Sequence, residues 1–327
     1  MMAAWGTFLR EHVELLQGPG TLLYWPYILS ASFFTVCFLT LVARMRLGEA
    51  LRELVSPRVW LTRSTRTDVV MTLAHEMFVA VPTLALGAYV SDALLGALRH
   101  HVLPGLGGGL RWHAPVLMQS VLVTVLVMLA VDLGTFIAHR LHHAFPVLWE
   151  IHAVHHSAEQ LTLFTAHRLH PLEALIRAAI QGVVTGVVFS VLDLVFGQVA
   201  PMLLLSGLGA GFFLNSFTNN LLHSHVPVRY PKWLRPIVLS PHIHHLHHSR
   251  ASVHRNRNFG AVFPYWDRIC GTYLDIEVGL GEVKFGLDEG DDVFRHSLLR
   301  CYLYPLVVPF EKLVRAVRRR RRAPAAV

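Results

Sequence analysis

The stretch Asp132–His156, DLGTFIAHRLHHAFPVLWEIHAVHH, changes character halfway along. Its first residues close the apolar run Pro115–Ile137, and the remainder holds six histidines. About 20 apolar residues suffice to cross ~30 Å of hydrocarbon as a helix. The stretch therefore reads as a membrane span that carries histidines out of the bilayer at its far end.

Outward from it lie four more apolar blocks: Leu22–Val42, Val69–Val90, Leu175–Phe196 and Val199–Phe217. The chain of 327 residues is 53% hydrophobic and only 15% charged, against about 25% charged in soluble domains. The predicted fold class is all-α: a polytopic membrane helical bundle of four to five spanning or hairpin helices under a histidine-rich helical cap. Gly197 and Gln198 alone separate the last two blocks, which suits a tight helical hairpin, with Pro201 near the start of its returning arm.

Between the first two blocks stand six arginines, Arg44, Arg46, Arg52, Arg58, Arg63 and Arg66. Such a loop belongs in the cytoplasm by the positive-inside rule. Counting spans from there puts 138–174, and everything after Phe217, on the same side. The arginine run at the end of LLRCYLYPLVVPFEKLVRAVRRRRR (Leu298–Arg322) agrees, and this stretch reads as an interfacial segment with a basic end. The N-terminus has no basic region leading directly into an apolar one, so the first block is expected to be a retained anchor. The net charge of +8 comes without any nucleic-acid recognition motif, and none is expected as a partner. Cys37, Cys270 and Cys301 lie far apart and suggest neither a disulfide framework nor a thiolate metal site.

Of 22 histidines, eight fall in 139–170 and eight in 223–254. Both segments lie on the side that the arginines select independently. His152, His155 and His156 form HxxHH, and His244, His247 and His248 repeat it. Randomly scattered histidines would give roughly 0.1 such matches in this chain. On a helix these positions share one stripe, so three imidazoles are expected to converge on one point. Neutral imidazole suits iron, copper, zinc or nickel, and eight or more ligands imply two ions. His12 and His75 read as core histidines, and His100, His101, His113 and His296 as surface ones. His242 and His245 point away from the HxxHH stripe. Asp132 precedes His139 by two helical turns and is expected to orient its imidazole, with Glu173 and Asp267 in similar roles.

The segments HRLHH, IHAVHH, RLHPLE, LLHSHVP, SPHIHHLHHS and NFGAVFPYWDRICGTY, in this order over about 132–275, resemble the fatty acid hydroxylase / sterol desaturase superfamily of integral-membrane di-iron oxygenases. The resemblance implies His139 and His143 as an HxxxH ligand pair. It implies the two HxxHH triplets as further ligands, with His223 after the membrane hairpin. It also implies His170, which matches a histidine of the sterol-acting branch. Some relatives carry another histidine four residues before the one at 223; here that position is Asn219.

On this reading residues 1–130 are anchor helices and loops, 131–275 the di-iron domain, and 276–327 a C-terminal interfacial segment with a basic tail. The implied function is hydroxylation or desaturation of an unactivated C–H bond of a lipid. It needs two iron ions, O2, and electrons from a separate donor of ferredoxin or cytochrome b5 type with its reductase. The competing classes are a histidine-rich metal transporter or sensor and a lipid-binding protein with a structural zinc. Sterol, fatty acyl, sphingoid, ether-lipid and carotenoid substrates all remain open.

Overall fold

The computed structural model describes residues 24–106, 112–196, 220–276, 282–288, 294 and 296–322. Among these the chain is helical, with no strand. Helix α1 (Trp25–Cys37) runs on through a π-helical turn, Phe38–Val42. There follow α2 (Leu47–Leu54), α3 (Arg63–Phe78), α4 (Ala80–His101) and α5 (Val116–Ala144). Helices α6 (Pro146–His156), α7 (Pro171–Phe196), α8 (Pro241–His247) and α9 (Leu298–Arg322) follow, besides short helical turns at Pro57–Trp60, Asn220–Leu222 and Tyr265–Ile269.

Four helical stretches are long and apolar enough to span a membrane: Trp25–Val42, Ala80–His101, Val116–Ala144 and Pro171–Phe196. The second differs from the expected block Val69–Val90. Pro82 lacks the N–H that would bond the Phe78 carbonyl, and the helix breaks at Val79. Upstream, α3 buries Thr65, Thr67, Asp68, Thr72 and His75, a polar face that belongs against protein. The block is thus divided between a cap helix and a span. The expected span Val199–Phe217 lies outside the described residues.

Helix α7 packs along both α4 and α5. A Cβ at Gly182 would stand 2.6 Å from the Gly87 carbonyl oxygen and 2.9 Å from the Val90 Cβ. Only a bare Cα lets the two backbones meet there, as is common where membrane helices associate. On α4, Val81, Leu84 and Tyr89 remain more than half exposed, as expected of a lipid-facing surface.

Three prolines set the starts of the helices nearest the site. Phe145 is extended (φ −104°, ψ 121°) because the residue before proline avoids the helical region, so α5 ends and Pro146 opens α6. Pro171 opens α7 and Pro241 opens α8 in the same way. The turns at Pro146 and Pro241 bring the histidines of α6 and α8 toward one place, and the turn at Pro171 brings Glu173 of α7 against His152. Arg168 ties this cap to α3. Its side chain is fully buried and pairs with buried Asp68 at 2.8 Å. It also donates to the Val154 carbonyl and to the Ser157 hydroxyl and carbonyl, at the C-terminal end of α6.

Candidate metal centre

Nine of the expected ligands fall into two adjacent groups. His139, His143, His152, His156 and His247 form one, and His155, His223, His244 and His248 the other. Within each group the ligand atoms lie within 4.8 Å of one another.

Each HxxHH triplet is divided, contrary to the single point of convergence expected for it. His152 and His156 join the first group while His155 turns to the second; His244 and His248 join the second while His247 turns to the first. The reason is helical rotation. Positions i and i+4 differ by about 40°, whereas i+3 falls about 60° to the other side. Two such helices facing one another build two sites that exchange one ligand each. Rings of the two groups stay in contact, with His156 and His248 centroids 4.7 Å apart and those of His152 and His155 5.3 Å apart.

The hydrogen bonds fix which nitrogen faces inward. His139 Nδ1 donates to the Phe259 carbonyl (2.9 Å), and His247 Nδ1 to the Arg257 carbonyl (2.8 Å). His152 Nδ1 donates to Glu173 Oε1 (2.8 Å). A carbonyl oxygen only accepts, as does an ionised Glu173, and with these partners Nδ1 holds the proton and Nε2 keeps its lone pair. The Nε2 atoms of His139, His152 and His247 are buried without a hydrogen-bond partner among the described residues. His143 and His156 approach through Nε2 at 3.2 Å. In the second group the Nε2 contacts are 3.3 Å (His223–His155), 2.9 Å (His244–His223) and 3.0 Å (His248–His244). Donors ~2.1 Å from a metal stand about 3.0 Å apart at right angles and 3.4 Å apart in a tetrahedron. Buried, inward-facing lone pairs at this spacing fit transition-metal ions.

Electrostatics favours the same state. Burial first, and neighbouring imidazoles second, drive His152, His155, His156, His244 and His248 well below the usual histidine value. Burial takes His247 down to about 4. All are neutral at pH 7, as metal ligation requires.

His170 departs from the expected ligand set. It joins neither group: its Nε2 donates to the Tyr302 carbonyl and its Nδ1 accepts from the Leu172 amide. Both nitrogens are used in tying the start of α7 to α9. His242 and His245 also lie outside the groups, donating through Nε2 to the Ile276 and Ser224 carbonyls.

Of the three carboxylates, only Glu173 touches an expected ligand. Asp132 does not contact His139; it accepts from the Val262 and Phe263 amides and from Trp266 Nε1. Asp267 accepts from the Phe259 and Gly260 amides and the Thr272 hydroxyl. The two aspartates thus clamp the 259–267 turn, and that turn presents the Phe259 carbonyl to His139. Gly260 is required in it, since a Cβ there would meet the Phe263 carbonyl oxygen at 2.8 Å.

Other residues that fix the site carried no assigned role in the sequence. Asn258, fully buried at φ 59°, holds the Ile243 and Leu274 carbonyls and the Leu274 amide. Asn256, at φ 55°, hydrogen-bonds the His143 side chain. Positive φ in a non-glycine residue is uncommon and favours asparagine, which is the signal these positions offer. Trp149 and Phe259 line the first group, each with its ring centroid about 5 Å from that of His143. A cavity of about 480 Å³ reaches His143, His156, His247 and His248.

This combination defines a helical protein with four helices able to span a membrane and a largely buried polyhistidine centre able to hold metal ions. Residues 124–272 match the fatty acid hydroxylase family, and the chain is similar to lipid hydroxylases, monooxygenases and sterol desaturases, which are oxidoreductases. It is 27% identical to ornithine lipid hydroxylase OlsE of Rhizobium tropici over 77% of this chain and 74% of that protein. It is 28% identical to alkylglycerol monooxygenase of Danio rerio over 55% of this chain and 36% of that protein. A delta(7)-sterol 5(6)-desaturase of Gibberella zeae is 28% identical over 50% of this chain and 41% of its own length. This chain thus spans well under half of the latter two proteins. No solved structure matches it.

Proposed function

We propose that this protein is a membrane di-iron oxygenase that hydroxylates or desaturates a lipid at an unactivated C–H bond. One observation carries the reading: nine imidazoles offer inward Nε2 atoms in two touching groups. A transporter would line a path across the bilayer with polar groups, and a structural zinc would need about four ligands. Relatives whose names specify ornithine lipid hydroxylation, alkylglycerol monooxygenation and sterol desaturation support the same class.

Iron held by the two groups would supply the activation of O2 and the removal of hydrogen from carbon. Hydroxylation consumes RH, O2, two electrons and two protons, and returns ROH and water. The electrons come from a separate ferredoxin- or cytochrome b5-type donor. The chain's own residues do the rest. Glu173 and the Phe259 and Arg257 carbonyls hold His152, His139 and His247 in the metal-binding tautomer and raise their basicity. Trp149 and Phe259 set apolar rings against the first group. The cavity admits substrate to His143, His156, His247 and His248.

Residues 131–275 are the functional domain on this reading, 1–130 its anchor, and 276–327 a C-terminal segment. The site and C-terminus lie on the cytoplasmic side, in agreement with the six arginines between Arg44 and Arg66. Metal analysis of the purified protein tests the centre: two irons per chain are expected, and a single zinc overturns it. Lipid mass spectrometry of cells with and without the protein tests the activity, and unchanged lipid profiles refute it. Tags at 160 and 285 reporting opposite sides of the membrane would separate the clusters and refute the shared site.

A further inference from the structure

The cavity that reaches the histidines is a groove between α6 and α9, and its charges are placed unevenly. Its inner wall is apolar, from Trp149, Ala153, Phe294, Tyr304 and Val308. Its mouth holds two ion pairs. Lys312 of α9 pairs with Glu150 of α6, and Arg255 pairs with Asp288 at 2.5 Å across two loops. Lys312, Arg255 and Asp288 have side chains more than half exposed. Pairs of this kind contribute little to stability and exchange partners readily.

Helix α9 explains how a lipid would arrive. Tyr304, Val308 and Lys312 recur every four residues and line the groove. Leu299, Leu303, Phe310 and Val314 are exposed and lie about 150° around the helix from that line, at ~100° per residue. One helix thus presents an apolar face to the bilayer and a mixed face to the groove.

Resting on the di-iron reading above, we propose that the groove selects a zwitterionic amphiphile. Its cationic group exchanges onto Glu150 or Asp288, its acidic group onto Lys312 or Arg255, and its first carbons reach the histidines. A neutral sterol would gain nothing from either pair. A purely anionic lipid would meet two carboxylates in the same mouth. Glu150 precedes His156 by six residues on α6, about 9 Å at 1.5 Å per residue. The C–H bond presented to the metal groups therefore lies near the head group rather than at the far end of a chain.

The test is native mass spectrometry of the full-length protein in detergent, with metal content measured on the same samples. Four probes are offered: phosphatidylethanolamine, an amino-acid-headed lipid with free amine and acid, phosphatidylglycerol, and a sterol. At least one zwitterion should be retained about tenfold or more over the last two, matching one charge-assisted hydrogen bond. The preferred zwitterion tells whether the acid recognised is phosphate or carboxylate. Lys312→Glu should lower that retention about tenfold, and Lys312→Glu/Glu150→Lys, which restores both signs, should recover most of it. Equal retention of sterol or phosphatidylglycerol overturns the proposal, as does a charge reversal without effect. Two irons with no lipid selectivity sink this inference alone; selectivity without the two irons sinks the di-iron reading alone.

Discussion

Replacing Arg168 with methionine should loosen the metal centre from behind, without touching a ligand. The guanidinium donates to Asp68 (2.8 Å), Val154 (3.0 Å) and Ser157 (2.8 Å to Oγ) in a fully buried setting. Burial already pushes the Asp68 carboxyl above its usual value, against the pull of Arg168. Methionine fills similar space but leaves that carboxylate with the Thr165 hydroxyl as its remaining side-chain partner in the network. Breaking a buried pair in this way costs about 3–5 kcal/mol. The Val154 carbonyl keeps the Ser157 hydroxyl as a donor, while the Ser157 carbonyl loses its guanidinium donor and adds roughly 1 kcal/mol. At about 2 °C per kcal/mol for a chain of this size, Tm should fall by roughly 8–12 °C. Because α6 carries His152, His155 and His156, metal content should fall with it. Arg168→Met/Asp68→Leu removes both charges and should be less damaging than Arg168→Met alone, since a buried pair is replaceable by apolar groups but not by half of itself. Thermal unfolding in detergent and metal analysis read both quantities. An unchanged Tm and full metal content in Arg168→Met would refute the account.

Glu173→Ala should weaken metal binding about 10–100-fold, with Glu173→Gln in between because its amide oxygen still accepts from His152; competition with a chelator measures both, and unaltered affinity in the alanine variant would count against the role. Gly182→Val should part α4 from α7, since its Cβ would lie 2.6 Å from the Gly87 carbonyl oxygen, at a cost of about 1–3 kcal/mol. Gly96→Ala, with nothing within 4 Å of the added carbon, should instead be neutral or stabilising by up to ~1 kcal/mol; the two Tm shifts should have opposite sign or differ by several degrees. Burial holds His75 and His245 down to about 4, against ~6.5 in an unfolded chain. The unfolded chain therefore takes up protons first as pH falls. Stability from these groups is complete above about pH 6.5 and declines toward pH 4, each contributing up to ~1.4 kcal/mol per pH unit. A flat denaturation midpoint across that window in metal-free protein would contradict it.

What the sequence determined by itself rests on local composition and short-range geometry. Apolar blocks of about 20 residues mark spans because hydrocarbon thickness is fixed, and three of the four spans match expected blocks closely. Prolines 146, 171 and 241 mark helix starts because their effect reaches only the neighbouring residues. HxxHH places imidazoles along one side of a helix, whatever the helix packs against. The fourth span was misplaced because hydropathy averages over Thr65, Thr67, Asp68, Thr72 and His75, which face protein. Tertiary structure alone decided how the triplets are shared. Spacing lets the i+3 imidazoles, His155 and His247, diverge from their i and i+4 partners, but which other histidines each meets depends on how α6 packs against α8. It also took Asp132 away from His139 and into the 259–267 turn, 130 residues along the chain. Likewise it occupied both nitrogens of His170 with the Tyr302 carbonyl and the Leu172 amide. A hydrogen bond is made where two groups meet in space, and only the packed chain says which groups those are.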